Sequence, residues 1–267
     1  MVDVSRAPIA VIGGSGLYAL VGVDARVEQV PTPYGAVELS WGELAGRRAV
    51  FLPRHGRDHS VPPHLINARA SIWALAAAGV RAIISTAAVG TISSAHPIGS
   101  LTLVDQYIDR THGRADTFFD TGSVQHLASA DPFCPTLHRI AADALGDEAI
   151  RGGTVVVIQG PRFSTRAEST WFRAAGAHLV NMTLYPEVPL AAELGIGTVT
   201  LAFATDDDAA PGDDPVNAEL VFARLAAAQP RIVAAIGTIA AAIPGDYTPR
   251  ELLSPAAVAE VLGREPR

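Results

Sequence analysis

Cysteine is almost missing from this chain: Cys134 is the only one in 267 residues. Intrachain disulfides are therefore excluded, and a reducing, cytoplasmic compartment is expected. Cys134 itself, between Phe133 and Pro135, reads as a small core residue rather than a nucleophile. Runs of Lys and Arg are missing too, and the formal net charge is −7 with a pI near 5.6. An acidic chain with no basic patch suits neither nucleic acid nor an anionic membrane surface. The amino terminus has no apolar segment of the secretion-signal kind. The longest late apolar run, Ile232 to Ile243, is too short to span a bilayer. Charged residues are few, 18% against 49% hydrophobic, so a substantial core is available and global disorder is excluded. Repeats, linkers and low-complexity stretches are lacking as well, and residues 1–267 are read as one domain.

What the chain does contain is a series of short buried strands, each stopping on polar or glycine residues. Thr198 to Ala204 is apolar or β-branched, the composition of a strand covered on both faces, and it ends on Thr205-Asp206-Asp207-Asp208. Ala209-Ala210-Pro211-Gly212 must then be loop. Ligands of open α/β sheets sit at the carboxyl ends of strands, and a carboxylate held there half out of water can serve as an acid near neutrality. A solvated acidic loop capping the next helix is the plainer alternative.

Ile9 to Ile12 is a second such strand, followed by Gly13-Gly14-Ser15-Gly16. Glycines there let backbone N–H groups approach an anion, and Ser15 adds a hydroxyl. Gly14-x-Gly16-x-x-Ala19 also fits a loose dinucleotide fingerprint. That reading needs a crossover helix, and the segments Asp24 to Val30 and Val37 to Trp41 read instead as short alternating strands joined by turns.

Val50 to Pro53 leads into Arg54-His55-Gly56-Arg57-Asp58-His59. Pro53, Gly56, Pro62 and Pro63 forbid a helix, so His55 and His59 do not share a helical face as a zinc pair would. Clustered Arg and His after a strand suit phosphate, whose oxygens match guanidinium forks; a solvated basic loop is the alternative.

Helices are expected over Asn67 to Ala78, Leu137 to Leu145, Arg166 to Ala175 and Pro186 to Leu194. A further one runs from Val216 to Ile243, interrupted at Pro230, and a short one lies in the tail after Tyr247. Strands are expected at Ala82 to Gly90, Leu101 to Val104, Thr154 to Ile158 and His178 to Thr183. Asp105 to Arg110 is read as a polar loop. Thr111 to Phe133, with His126 inside it, is a long loop of the kind that serves a site or an interface. Strands alternating with helices give an α/β sandwich with one ligand crevice.

Five motifs in order carry a resemblance. They are Gly13-Gly14-Ser15-Gly16-Leu17, Pro53-Arg54-His55-Gly56-Arg57-x-His59, Gln159-Gly160-Pro161-Arg162-Phe163-Ser164-x-Arg166-Ala167-Glu168, Asn181-Met182-Thr183-x-x-Pro186-Glu187 and Ala204-Thr205-Asp206-x-Asp208. Over about residues 9 to 221 the chain resembles the trimeric purine nucleoside phosphorylase family, and within it the members acting on 5′-methylthioadenosine. The resemblance implies an α/β single-domain three-layer sandwich with a central mixed sheet flanked by helices. It implies phosphorolysis of 5′-methylthioadenosine to adenine and 5-methylthioribose 1-phosphate. No metal or cofactor is implied, inorganic phosphate being the co-substrate.

Position by position, the resemblance puts Gly14, Ser15, Arg54, His55, Ala87 and Thr183 at phosphate. Ala88, Asn181, Met182, Thr205 and His59 come beside the nucleoside, and Phe163 over the purine. Ala218 and Val221 come at the methylthio group. Asp206 and Asp208 meet N7 and the 6-amino group, Asp206 as the acid. His126 is lent by a neighbouring subunit of a homotrimer. Three departures stand out: Ala87 in place of a threonine, Gln159 in place of a glutamate, and the extra carboxylate Asp207. The pair Asp206 and Asp208 favours a 6-amino over a 6-oxo purine, since acceptors suit N–H donors. The rival within the class is a methylthioinosine or general purine nucleoside phosphorylase. Outside it stand a dinucleotide-dependent oxidoreductase and a nucleoside-binding protein without turnover.

Overall fold

Apolar, β-branched segments become the strands of one mixed sheet. The computed structural model describes residues 7–14, 26–208 and 218–266. At its centre four strands run parallel: β4 (Arg47–Pro53), β1 (Ile9–Gly13), β5 (Ala82–Thr91) and β11 (Gly197–Asp207). Beyond β4 the sheet continues antiparallel through β3 (Val37–Leu44) and β2 (Arg26–Val30). Beyond β11 come antiparallel β6 (Leu101–Val104) and then β8 (Ile150–Arg151).

The sheet forks at β5, and the fork makes the site. β1 pairs with β5 from Ala82 to Ser85, whereas β10 (Leu179–Asn181) meets β5 only at Gly90 and Thr91. Along residues 86–89 that edge of β5 has no strand partner among the described residues. Behind β10, the strands β9 (Thr154–Ile158) and β7 (Gln106–Arg110) extend the second branch. The carboxyl ends of β1, β4 and β11 converge on the gap.

Alternation along the strands supplies two cores. Val11, Ile84 and Val199 face α2 (Pro135–Leu145) and α5 (Ala218–Ala242). Ala10, Ile12 and Ile83 face α1 (Ala68–Ala77), α4 (Leu184–Glu193) and α6 (Pro255–Leu262). A smaller cluster seats Phe172 of α3 (Arg166–Ala174) on Val156, Ile158 and Val180. The helix ends follow capping chemistry. Asn67 accepts from the Ala70 amide at 3.1 Å, and Thr165 with Glu168 closes a capping box on α3.

Three sequence-based expectations need correction. Residues 106–110 form β7 rather than loop, because β9 offers a parallel partner along all five residues. Pro230 does not interrupt α5, which is continuous over 25 residues. Only the hydrogen bond to the Ala226 carbonyl is lost there, while Leu225 and Ile232 anchor the flanking turns in the core. The run Ile232 to Ile243, except its last residue, thus belongs to a helix, Ala218–Ala242, long and apolar enough to cross a membrane by length and composition alone. Its face of Leu225, Ile232, Ala235, Ile236 and Ile239 is instead buried against the sheet and α2. The loop at 209–212, the start of the helix at 216–217, and Gly16 to Ala19 lie outside the described residues.

Candidate active site

At one end of the gap stands a buried arginine. Pro53 ends β4, and a turn with Gly56 at φ +75° carries the chain round so that the Val61 amide donates to the His55 carbonyl at 3.0 Å. Arg54 points inward, its side chain only 2% exposed. Its Nε and Nη2 donate to the two carboxylate oxygens of Glu187 at 2.7 and 2.9 Å, a bidentate fork. Nη2 also donates to Ser85 Oγ at 2.8 Å, and Nη1 to the Thr86 carbonyl at 2.9 Å. Ser85 in turn donates to Glu187 Oε1 at 2.6 Å. Gly14 leaves room here: a Cβ on it would stand 3.5 Å from Arg54 Nη1.

Beside Arg54, the His55 ring is held through Nδ1, 2.9 Å from the Val61 carbonyl. A carbonyl can only accept, so Nδ1 carries the hydrogen and Nε2 is left as an acceptor. Burial, aided by the neighbouring Arg54 charge, pushes the His55 pKa down to about 4. The imidazole is therefore neutral at pH 7. His59 stacks on it at a centroid separation of 4.3 Å, and burial lowers its pKa too.

At the other end are the two carboxylates. The β5–β11 register shifts between Ala204 and Asp206, so that Asp206 stands opposite Gly90. At this β-bulge Thr205 and Asp206 both turn to the cavity, with Asp208 beyond them. Thr205 Oγ1 donates to Asp206 Oδ1 at 2.6 Å, and Arg224 on α5 donates to the Thr205 carbonyl. Asp206 is 4% exposed. Burial raises its pKa to about 6, against the opposing Thr205 hydrogen bond and helped by Asp208. Ser169 on α3 donates to Asp208 Oδ2 at 2.6 Å, and burial still raises the Asp208 pKa. Gly90 is required: a Cβ there would lie 2.9 Å from Asp208 Cβ and 3.0 Å from Asp206 Oδ2. Asp207 points to the opposite side, into a surface depression shared with Arg173 and His178.

One cavity joins the two ends. Between them lie Asn181, Met182 and Thr183 from the end of β10, Phe163 from the loop before α3, and Ala88 from the open edge of β5. Asn181 fixes this wall, accepting from the Thr183 and Leu184 amides at 3.1 and 3.3 Å. The outer mouth is apolar, with Val221, Phe222 and Pro63; Phe222 stands edge-on to His59 at 5.2 Å. The lining thus holds Arg54 and His55 together with the two carboxylates in one cavity. The family model described as the phosphorylase superfamily matches residues 8–240.

The chain belongs to the phosphorylase superfamily. Among its curated relatives is the S-methyl-5′-thioadenosine phosphorylase of Mycolicibacterium smegmatis, 49% identical over 203 residues, covering 75% of this chain and 77% of that one. The purine nucleoside phosphorylase of Streptomyces coelicolor is 43% identical over 258 residues, covering 91% and 92%. A solved methylthioadenosine phosphorylase from an antarctic soil metagenomic library superposes with a TM-score of 0.82 at 35% identity, covering 97% of this chain and 99% of that one. The single α/β domain with its large mixed sheet is the superfamily's fold.

The structure of this phosphorylase brings together most residues singled out from the sequence. Gly14, Arg54, His55, His59, Ala88, Phe163, Asn181, Met182, Thr183, Thr205, Asp206, Asp208 and Val221 all line the cavity. Ala87 does not. It projects from the other face of β5, 5% exposed, into the cluster of Leu184, Val188, Ala202 and Ala204. Ala218 is exposed at the start of α5 and also lies off the cavity lining, as does His126, exposed on the long loop. Ser15 lies outside the described residues. Gln159 accepts from the His112 amide and from Arg114 Nε, which gives that departure a structural use. Sequence reasoning missed Phe222, Gly90 and the Glu187–Ser85 support of Arg54. Pro186-Glu187 stood in a quoted motif, but nothing local tied Glu187 to an arginine 133 positions away. The tail after Pro244 contributes no residue to the cavity lining; Trp73 donates to the Val261 carbonyl and Arg264 to the Phe118 carbonyl.

Proposed function

We propose that this phosphorylase cleaves 5′-methylthioadenosine with inorganic phosphate, giving adenine and 5-methylthioribose 1-phosphate. The observation that carries the reading is the pair Asp206 and Asp208 at one end of a cavity whose other end holds Arg54 and His55. The C1′–N9 bond breaks as a phosphate oxygen bonds to C1′. Adenine departs as an anion unless N7 is protonated, and Asp206, with its pKa near 6, holds a proton for that transfer in part of the population at neutral pH. Thr205 engages Oδ1, and we assign the transferred proton to Oδ2, the oxygen nearest Gly90. Hydrogen phosphate loses its own proton on becoming the sugar ester, which restores Asp206 through solvent and balances the turnover. The unprotonated Nε2 of His55 can accept that phosphate hydroxyl.

Asp208 provides an acceptor for the 6-amino group, its Oδ2 oriented by Ser169. A 6-oxo purine would leave two acceptors facing each other. Val221, Phe222 and Pro63 form an apolar rim suited to a methylthio group rather than a 5′-hydroxyl. A homotrimer in which His126 reaches a neighbouring site belongs to the same reading; it rests on the family resemblance and the exposed loop position. A general purine nucleoside phosphorylase is the second reading, favoured by the name of the Streptomyces relative.

The test is a rate panel on methylthioadenosine, methylthioinosine, adenosine and inosine, with and without phosphate. The expected outcome is phosphate-dependent adenine release, with kcat/KM highest on methylthioadenosine. Faster turnover of inosine or methylthioinosine would overturn the base assignment, and adenine release independent of phosphate would overturn the reaction.

A further inference from the structure

A guanidinium carries five N–H donors, and four of those of Arg54 are already engaged among the described residues. Glu187 takes Nε–H and one Nη2–H, Ser85 the other Nη2–H, and the Thr86 carbonyl one Nη1–H. One Nη1–H remains, on an atom that lies beside Gly14 where both residues line the cavity. Arg54 therefore meets an anion with one aimed donor and, because Glu187 forms a buried ion pair with it, with its charge largely cancelled.

We propose that Glu187 is the positioning residue of the phosphate end: it clamps the Arg54 guanidinium so that a single N–H is presented, and it cancels the arginine's charge so that bound phosphate keeps its own. Phosphate neutralised in the ground state would be a poorer nucleophile and would steady a cationic sugar less. An interaction spent equally on ground and transition states lowers KM without raising kcat. The cradle binds phosphate through neutral donors and leaves its charge for the oxocarbenium ion, where stabilisation speeds the reaction. Ser85, bridging Arg54 and Glu187 at 2.8 and 2.6 Å, holds the clamp in register. This deepens the phosphorolysis reading and rests on its placement of phosphate at Arg54.

The experiment is a double-mutant cycle of Glu187→Gln and Arg54→Met, with phosphate affinity measured by calorimetry in the absence of nucleoside and kcat measured with nucleoside saturating. With the arginine charge released, Glu187→Gln is expected to bind phosphate about tenfold more tightly and to turn over at least about tenfold more slowly, nucleoside KM staying within about twofold. In the Arg54→Met background the same change should not lower kcat by more than about twofold, since its partner has gone, and should not weaken phosphate binding, because there it removes an unpaired buried carboxylate. The double variant holds no unpaired buried charge and keeps the test open if Glu187→Gln alone does not fold. Glu193→Gln on the same helix serves as control. Glu193 is equally buried but accepts from Thr117 and the Phe118 amide, so phosphate binding should not respond. Wild-type phosphate affinity and kcat in Glu187→Gln, or a further loss on adding it to Arg54→Met, would overturn the proposal. Unchanged phosphate affinity in Arg54→Met would instead overturn the phosphate site itself.

Discussion

Asp206 is where chemistry and stability pull in opposite directions. In the unfolded chain its carboxyl titrates near 3.8; burial raises that to about 6 in the folded chain. The folded state thus holds the proton more tightly, so the associated stability is fully present below 3.8 and is lost as pH climbs through 6. At pH 8 the buried carboxylate costs on the order of 2–3 kcal/mol. Asp206→Asn removes the titration while keeping an acceptor for Thr205. The variant is expected to melt several degrees higher than wild type at pH 8, the gap closing toward pH 4, with turnover about 10²–10⁴-fold lower. Wild-type kcat/KM for the nucleoside should fall above a pKa near 6, and the variant should lack that limb. Melting curves and pH-rate profiles check both halves, and a retained limb would remove Asp206 from the acid's role.

Among the strands, β5 and β11 decide the acid end together. The carboxylates come from β11, but the space they occupy is the hydrogen atom of Gly90 on β5. Gly90→Ala places a methyl 2.9 Å from Asp208 Cβ and 3.0 Å from Asp206 Oδ2. Backbone and short side chains cannot yield cheaply there, so kcat/KM is expected to fall by about 10²-fold while the circular dichroism spectrum stays that of wild type. Activity within about twofold of wild type would show that the carboxylates tolerate displacement.

The same pair explains what was legible beforehand. A seven-residue apolar run ending on three carboxylates announces Asp206 and Asp208 locally, and Arg54-His55 after an apolar strand does the same for the phosphate end. Gly90 and Glu187 matter only through residues distant in sequence, which no local pattern reveals. Residues 106–110 read as loop for a related reason: their polar composition hides a strand whose partner, β9, begins 44 residues further on. The resemblance puts Ala87 at phosphate, while strand alternation turns it into the core.

At the scale of the whole molecule, His126 stands exposed and off the cavity of its own chain. If three subunits assemble so that it enters a neighbour's site, sedimentation should give a trimer and His126→Ala should remain one. Activity of that variant should drop about tenfold, the scale of one lost contact. Mixing subunits carrying His126→Ala with subunits carrying Asp206→Asn, then refolding, should return activity above either parent, because some sites then draw each intact residue from a different chain. Activity no greater than the parents' sum would show that each chain supplies its own complete site.

The irregularity between Ala204 and Asp206 makes the acid's placement a matter of counting as well as of identity. Thr205 is the surplus residue in the ladder, and because the strand is one residue longer there than its neighbour, two successive side chains, its own and the acid's, face inward. Loss of the Thr205 codon would straighten the strand with Asp206 still opposite Gly90, yet it would remove the hydroxyl that holds Oδ1 of the acid. Inherited variation at this edge should therefore run through replacements and avoid insertions or deletions.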